Sequence, residues 1–309
     1  MQIHKITPYV KMVQYFKEQC PPVSIQLNLT NYCACKCIMC KKHEWKLGSI
    51  EPDIVINLLD QFKKLNVESI VLSGGDPFAY HNILHIIEEI SKRDFKLGIL
   101  TAGNIQFDYW TAILPKLTWL RFSIDAYDQE QWSHIRGSSR YDVMRQNLET
   151  VSKLGHNDKV RLNFCKIKNV NEDQEEKVRN LANELGFGFA AHDVRTFEEF
   201  MHKQDHHSFL EQKCIVPYVH CLIESDGSVF PCCTVMNEND HLENVNFEYV
   251  LGNIKDFNND FGKLWFSEKA NEMKNMLYNN RVAECSTCPE RYYSSNIEYS
   301  KAVDKGLFL

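Results

Sequence analysis

The sequence predicts an α/β chain: an open, curved partial (β/α)6 barrel over residues 23–195, then a small C-terminal domain made of a β-hairpin and a helix. Three observations lead there. Strand-like runs and amphipathic helical runs alternate six times, which implies a parallel sheet with right-handed crossovers. Six units fall short of the eight that close a full barrel. Beyond residue 213 the alternation stops, and six of the chain's 12 cysteines gather there.

The elements follow in order. Residues 1–22 form a partly helical lead-in that ends at Pro21-Pro22. Strands are expected near 23–30, 67–73, 95–101, 118–124, 159–166 and 187–194. Between them, Val55, Leu58, Leu59 and Phe62 make one helical stripe, and Ile83, Ile86, Ile87 and Ile90 another. Val178, Leu181, Ala182 and Leu185 repeat the spacing, which is that of one buried helix face. Residues 196–213, with His202, His206 and His207, read as a solvated connector. From 214 to 309 comes the second domain. Ile223 to Cys232 reads as a hairpin with an Asp226-Gly227 turn, and a helix runs from about Trp265 to Leu277.

Composition narrows the class. The chain has 309 residues, 44% of them hydrophobic, and a net charge of −6 with both signs mixed. No lysine/arginine block suggests a nucleic-acid partner. No apolar run is long enough to span a bilayer, and the N-terminus lacks a secretion pattern. Many cysteines without such a signal point to metal ligation in a reducing compartment, so a cytoplasmic location is expected.

The most informative run is Cys33-Ala-Cys35-Lys-Cys37-Ile-Met-Cys40, directly after the first strand. Cys33, Cys37 and Cys40 are spaced C-x3-C-x2-C. Three thiolates on one loop can hold three irons of a four-iron cluster, whereas such clusters usually take four. The fourth iron is then open to a small chelating molecule. A zinc loop or a loop of spare thiols is the plainer alternative. A second motif, Gly74-Gly75-Asp76-Pro77, follows the second strand; glycine there lets the backbone approach a ligand closely. The fourth strand ends in Ser123-Ile-Asp125, and His134-Ile-Arg136-Gly137 follows.

These motifs together resemble the radical SAM superfamily, whose hallmark is C-x3-C-x2-C after the first strand of a partial TIM-like barrel. The resemblance covers roughly residues 23–300. It implies that S-adenosylmethionine chelates the open iron of a 4Fe-4S cluster. The reduced cluster then cleaves it to a 5′-deoxyadenosyl radical that abstracts hydrogen from a C–H bond. It further implies that Gly74, Gly75, Asp76 and Pro77 form the turn whose backbone and acid meet the cofactor's ammonium. Ser123 and Asp125 would meet its carboxylate or ribose, and Arg136 its carboxylate through a guanidinium fork. Departures from the family pattern are Met39, where an aromatic residue is common, and Asp76, where glutamate is commoner. Thr101-Ala-Gly103-Asn104 stands where the family often has Thr-Asn-Gly; its role is left open.

The later cysteines, Cys214, Cys221, Cys232, Cys233, Cys285 and Cys288, resemble the SPASM/Twitch extension, which binds auxiliary iron–sulfur clusters. No cysteine follows Cys288, so the shorter Twitch form with one auxiliary 4Fe-4S cluster fits better. Its expected ligands are Cys214, Cys232, Cys285 and Cys288. A structural zinc uses the same C-x2-C pairs. Cys233, if not a ligand, is a candidate catalytic hydrogen-atom donor, as in radical epimerases of this group. Cys165 reads as a small core thiol. Asn163, His192, Asp193 and Arg195 are candidate substrate contacts.

Three outcomes compete for the reaction. The first is dehydrogenase-like oxidation of a small molecule with the auxiliary cluster accepting an electron, as in Twitch-type aminocyclitol dehydrogenases. The second is epimerisation with Cys233 as donor. Cyclisation, as in the molybdopterin-precursor cyclase, ranks last, because this chain lacks that enzyme's Gly-Gly tail. With only residues 1–22 before the first strand, a small-molecule substrate is favoured over a peptide. The expected partner is an external reductant such as flavodoxin or ferredoxin. A reading of another class is a non-catalytic iron–sulfur or zinc protein.

Overall fold

A computed structural model describes residues 13, 16–40, 48–193, 214–233, 235 and 249–279. In these, six parallel strands run in sequence order: β1 Ser24–Thr30, β2 Ser69–Gly74, β3 Lys96–Thr101, β4 Trp119–Ser123, β5 Val160–Lys166 and β6 Gly188–Asp193. Each lies within two residues of its expected span. The intervening helices are α1 Pro52–Lys64, α2 Ile83–Lys92, the short α3 Trp110–Ile113, α4 Gln129–Arg136, α5 Tyr141–Ser152 and α6 Glu175–Glu184.

Strand alternation explains the layers. Ile25 and Leu27 of β1, Leu72 of β2, Ile99 of β3 and Phe122 of β4 are fully buried. They form one core with the stripes of α1 and α2 and with Val178 and Leu181 of α6. Successive strand residues face opposite ways. The other face therefore carries Gln26, Asn28, Ser73, Arg121, Ser123, Asn163 and Cys165, and it is mostly polar. α1 begins at Pro52, whose fixed φ suits a first turn, and the chain leaves it through Asn66 at φ 58°.

The C-terminal part is not a separate body. After the short α7 Val216–Val219, β7 His220–Ile223 pairs in parallel with β1, Ile25 opposite Cys221. The antiparallel β8 Ser228–Phe230 and β9 Gly252–Asn253 extend the same sheet to nine described strands. The hairpin turns through Gly227 at φ 95°, as the Asp-Gly signal implied. The lead-in also joins this part: Val13 and Cys20 pack with Tyr218, Val219 and Tyr278. The boundaries expected at 22 and 213 thus cross a shared sheet and a shared core. The expected single late helix is two, α8 Phe261–Trp265 and α9 Glu268–Asn279, broken at Phe266-Ser267.

Lys274 of α9 is fully buried, and its ammonium donates to the Trp265 carbonyl at 2.8 Å, over the Trp265 ring. Burial lowers it to about 8, against about 10.4 for a free lysine. The unfolded chain binds the extra proton between those values, so stability rises with pH across that window; the cost of burying the charge is present in full below it. In urea titrations, wild type should gain up to about 3 kcal/mol on Lys274→Met between pH 7.5 and 10.5.

Candidate active site

The cysteine loop is built by clamping. A β-bulge ends the β1–β2 ladder between Asn28 and Thr30. From the β2 turn, Gly75 N–H donates to the Thr30 carbonyl at 2.8 Å and Asp76 N–H to that of Tyr32 at 2.9 Å. On the other side, Lys36 and Ile38 donate to the carbonyls of Arg136 and Ile135 at 2.8 and 2.9 Å. Those carbonyls end α4, which Asp128 caps by accepting from Gln131 N–H. Gly137, at φ 58°, closes that helix.

Close approach to neighbouring backbone is one reason for these glycines. A Cβ on Gly75 would lie 2.2 Å from the Tyr32 carbonyl oxygen, and one on Gly137 2.5 Å from that of Lys36. Gly74, at φ 127°, has Thr30 O at the same 2.2 Å. These residues let the loop backbone nest onto β2 and α4.

Cys33 is exposed, Cys40 half-buried, and Cys35 and Cys37 buried. Cys35 N–H donates to Cys33 Sγ at 3.4 Å. A hydrogen bond from the Cys35 thiol lowers Cys33 below the usual thiol range, against burial. The same donor brings Cys37 down to about 6, burial opposing and Arg136 assisting. Thiolate character is what a metal ligand requires. With Cys40 on the same clamped loop, these two sulfurs fit an iron–sulfur cluster. Among the described residues no three His, Cys, Asp or Glu side chains converge on one metal-ion position; a cube of four irons takes its thiolates at separate corners.

Asp76 departs from its expected side-chain role. It is 0% exposed, and its carboxylate accepts from Phe78 N–H at 3.0 Å, Thr101 Oγ1 at 2.8 Å and Ala102 N–H at 2.9 Å. Burial pushes the carboxyl up, and those donors pull it back. The acid therefore ties the β2 turn, with Pro77 also buried, to the end of β3. Its oxygens are taken up by these three donors from the protein.

Arg136 is no surface arginine. Its Nη2 lies 2.5 Å from Asp125 Oδ2 and donates to the Ser123 carbonyl at 2.7 Å, while Nη1 donates to Cys37 Sγ at 3.4 Å. Asp125 in turn accepts from Cys165 N–H at 2.7 Å. Burial works against the guanidinium's charge, and Asp125 and the neighbouring sulfurs outweigh it and raise Arg136. Burial pushes Asp125 up while Arg136 pulls it down. The fork expected to face a cofactor carboxylate thus already fastens the cysteine loop to the end of β4, leaving Nε as its atom without a hydrogen bond.

The second cysteine set is partly described. Cys214 N–H donates to the Tyr278 carbonyl at 3.1 Å, and Cys232 packs with Leu277, Val235 and Tyr249. Both thus meet the last turn of α9. Cys285 and Cys288 lie outside the described residues, as does Arg195. Cys221 is fully buried in β7, where burial pushes its thiol up. Cys233 packs beside Leu222 and Phe230 instead. If Cys214 and Cys232 are ligands, Cys232→Ala should lower iron from about eight to about four per chain while Cys221→Ala leaves it unchanged, as read by colorimetric iron analysis.

Cys165 corrects the expectation of a core thiol: it is half-buried on the face away from the helices, opposite His192 in the β5–β6 register. Asn163 shares that face, and His192 and Asp193 are exposed. Two residues went unassigned from sequence. Asn104 is fully buried and donates to Cys35 Sγ at 3.1 Å. Asn28 donates to Glu224 at 2.6 Å, joining β1 to the hairpin across 196 positions. The altered Thr-Ala-Gly-Asn order was the one signal for the former; the latter left none.

No helix among the described residues is long and apolar enough to cross a membrane. Residues 27–182 match the family model of the radical SAM superfamily, and residues 214–289 match that of an iron–sulfur cluster-binding SPASM domain. Among curated proteins, the chain is 24% identical over 161 residues to GTP 3′,8-cyclase of Haemophilus influenzae, covering 50% of this chain and 48% of that one. It is 28% identical over 185 residues to molybdenum cofactor biosynthesis protein moc-5 of Caenorhabditis elegans, covering 57% and 30%. It therefore spans half or less of these relatives' length. Among solved structures, Streptococcus suis SuiB bound to S-adenosylmethionine superposes with a TM-score of 0.64 at 16% identity, over 92% of this chain and 73% of SuiB. AnSMEcpe with bound AdoMet gives 0.61 at 16% identity, over 89% and 88%. With the clamped three-cysteine loop at the end of β1 and the family model matched across half the chain, this protein belongs to the radical SAM superfamily, with a 4Fe-4S cluster, S-adenosylmethionine and auxiliary iron–sulfur as its cofactors.

Proposed function

We propose that this enzyme removes a hydrogen atom from a C–H bond of a polar small molecule, and that the auxiliary cluster takes up an electron, so that the substrate leaves oxidised. The bound cofactors supply the electron and the radical. Cys33, Cys37 and Cys40 are the ligands assigned to the first cluster. The chain's own part is to hold that loop rigid through Gly75, Asp76 and Arg136, and to line the face beside it with Asn28, Ser73, Asn163 and Cys165.

The observation that carries the oxidative reading is the placement of Cys214 and Cys232 against one helix turn, before and after a hairpin whose first strand pairs with the strand that leads into the cysteine loop. Four protein thiolates, with Cys285 and Cys288 completing the set, leave no open iron, which suits electron transfer. A low-potential reductant of the flavodoxin or ferredoxin kind is the partner required.

Epimerisation is the second reading, and Cys233 favours it. Neighbouring cysteines pack on different sides: Cys232 against α9, Cys233 against Leu222, which lies opposite Gln26 on the polar face. A half-buried thiol there is placed to return a hydrogen atom. The cyclases among the relatives support cyclisation less strongly, since this chain matches only about half of them, and SuiB's precursor peptide keeps a peptide substrate open.

Anaerobic incubation with dithionite, S-adenosylmethionine and candidate sugars, aminocyclitols, nucleotides or peptides separates the outcomes. Oxidation gives 5′-deoxyadenosine and a product lacking two hydrogens. An epimer of unchanged mass that carries solvent deuterium, and that fails to form in Cys233→Ala, would replace the oxidative reading. If the iron-loaded protein makes no 5′-deoxyadenosine, both readings fail.

A further inference from the structure

The polar face of the sheet carries two arginines that the reaction above does not use. Arg121 of β4 and Arg161 of β5 stand opposite one another in register, on the same face as Ser123 and Asn163 two positions on. Arg121 is half-buried and Arg161 exposed. Like charges on directly paired strand positions are destabilising, so packing alone gives no reason for the pair. The Arg121 guanidinium lies 4.5 Å from the centroid of the Trp119 ring. That ring covers Gly98 of β3, its register partner, where a Cβ would strike it. Stacking on an aromatic ring holds a guanidinium in one place and directs its N–H groups outward at the edge of the stack. The arginines also belong to a row that crosses the sheet. Asn28 lies opposite Ser73, Leu72 opposite Ile99, and Leu100 opposite Arg121. The row therefore leads from Asn28 and Ser73, beside the cysteine loop, to the two arginines. Ser73 on β2 and Arg121 on β4 are two strand spacings apart, about 10 Å. The carboxylate of Glu224 stands at the opposite end, accepting from Asn28 at 2.6 Å.

We propose that Arg121 and Arg161 form an anion subsite on the substrate face, and that the substrate carries a phosphate or carboxylate group about 10 Å from the carbon that gives up its hydrogen. The proposal rests on the functional reading above, in which Asn28 and Ser73 line the reacting end. A guanidinium fork matches two oxygens of either group, and such charge-assisted bonds are about twice as strong as neutral ones. Two forks on adjacent strands make binding depend on where the anion sits as well as on its charge. Anchoring that end on rigid strands points the rest of the molecule along the row toward the cysteine loop, which is the positioning a hydrogen abstraction needs. A neutral sugar or aminocyclitol forgoes both contacts. Arg121 and Arg161 thus determine specificity, and neither touches the reacting atoms.

The test has two arms. In the first, the anaerobic holoenzyme with S-adenosylmethionine is titrated calorimetrically with inorganic phosphate and with malonate at low salt. Wild type should bind at least one of them, and which one it prefers tells phosphate from carboxylate. Arg121→Gln and Arg161→Gln should each weaken that binding about tenfold, the loss of one charged hydrogen bond, with iron content unchanged. Arg161→Lys, which keeps the charge but not the fork, should fall between. Arg179→Gln removes a charge from α6, where the side chain stacks on Phe189 on the helix side of the sheet, and should bind as wild type does. In the second arm, candidate metabolites are supplied in phosphorylated, carboxylated and neutral forms. Those that raise 5′-deoxyadenosine above the substrate-free rate should be anionic, and either glutamine variant should lower kcat/KM for them about tenfold. Wild type that binds neither anion overturns the subsite, as does binding that survives in the double variant. A neutral compound turned over as well as its anionic form overturns the subsite and leaves the functional reading standing. Arginine-dependent anion binding by a holoenzyme that makes no 5′-deoxyadenosine keeps the subsite and defeats the functional reading.

Discussion

Replacing Gly75 with alanine is expected to strip the N-terminal loop of its iron. The added Cβ would sit 2.2 Å from the Tyr32 carbonyl oxygen and 2.6 Å from its carbon. Both are backbone atoms one residue before Cys33, so no side chain can swing away. Forcing atoms into a filled site costs about 1–3 kcal/mol where the surroundings can shift. Here the surroundings are held by the Gly75–Thr30 and Asp76–Tyr32 hydrogen bonds at 2.8 and 2.9 Å. Relief therefore comes by lifting the loop, which parts Cys33 from Cys37. Iron should fall by about four per chain, and 5′-deoxyadenosine should vanish with it. Gly48→Ala is the control: a Cβ there meets nothing within 4 Å, and that variant should keep its iron.

Arg136→Ala should be the most destabilising side-chain truncation in the barrel. It leaves Asp125, 1% exposed, without its counter-charge, and breaking one side of a buried pair costs about 3–5 kcal/mol. It also releases the Ser123 carbonyl and Cys37. Denaturant titration of wild type and variant measures the loss. Removing Asp125 as well should recover part of it, since no orphaned charge remains. Arg136→Lys keeps the charge but loses the fork that spans three acceptors, and should fall between. In Arg136→Ala the Asp125 carboxyl is raised further above its unfolded value of about 3.9. The deficit should then be smallest in acid and grow as pH rises through that raised value.

What the sequence disclosed and what it withheld divide along one physical line. The six strands and their helices were legible because alternation and the i, i+3, i+4 stripe are local consequences of strand and helix geometry. The cysteine loop was legible for a similar reason, since three ligands within eight residues need no tertiary information. The uses of Asp76 and Arg136 were not. Their partners, Thr101, Ala102, Asp125 and Cys37, come from other turns, and only the folded sheet brings them within hydrogen-bonding reach. Cys165 was misjudged because the strand pattern gives its phase but not whether that face is filled. The join of β7 to β1 had no trace at all, being a pairing between segments some two hundred positions apart.

That join limits how the chain can be taken apart. A protein cut after residue 193 would bare the backbone donors and acceptors of β1 on its β7 side, with Val23 N–H stripped of the Val219 carbonyl at 2.8 Å. A naked strand edge of this kind recruits other chains. The excised barrel would thus tend to stack on itself, and the cysteine-bearing tail could not be grafted onto another enzyme as a cassette without the strand it completes.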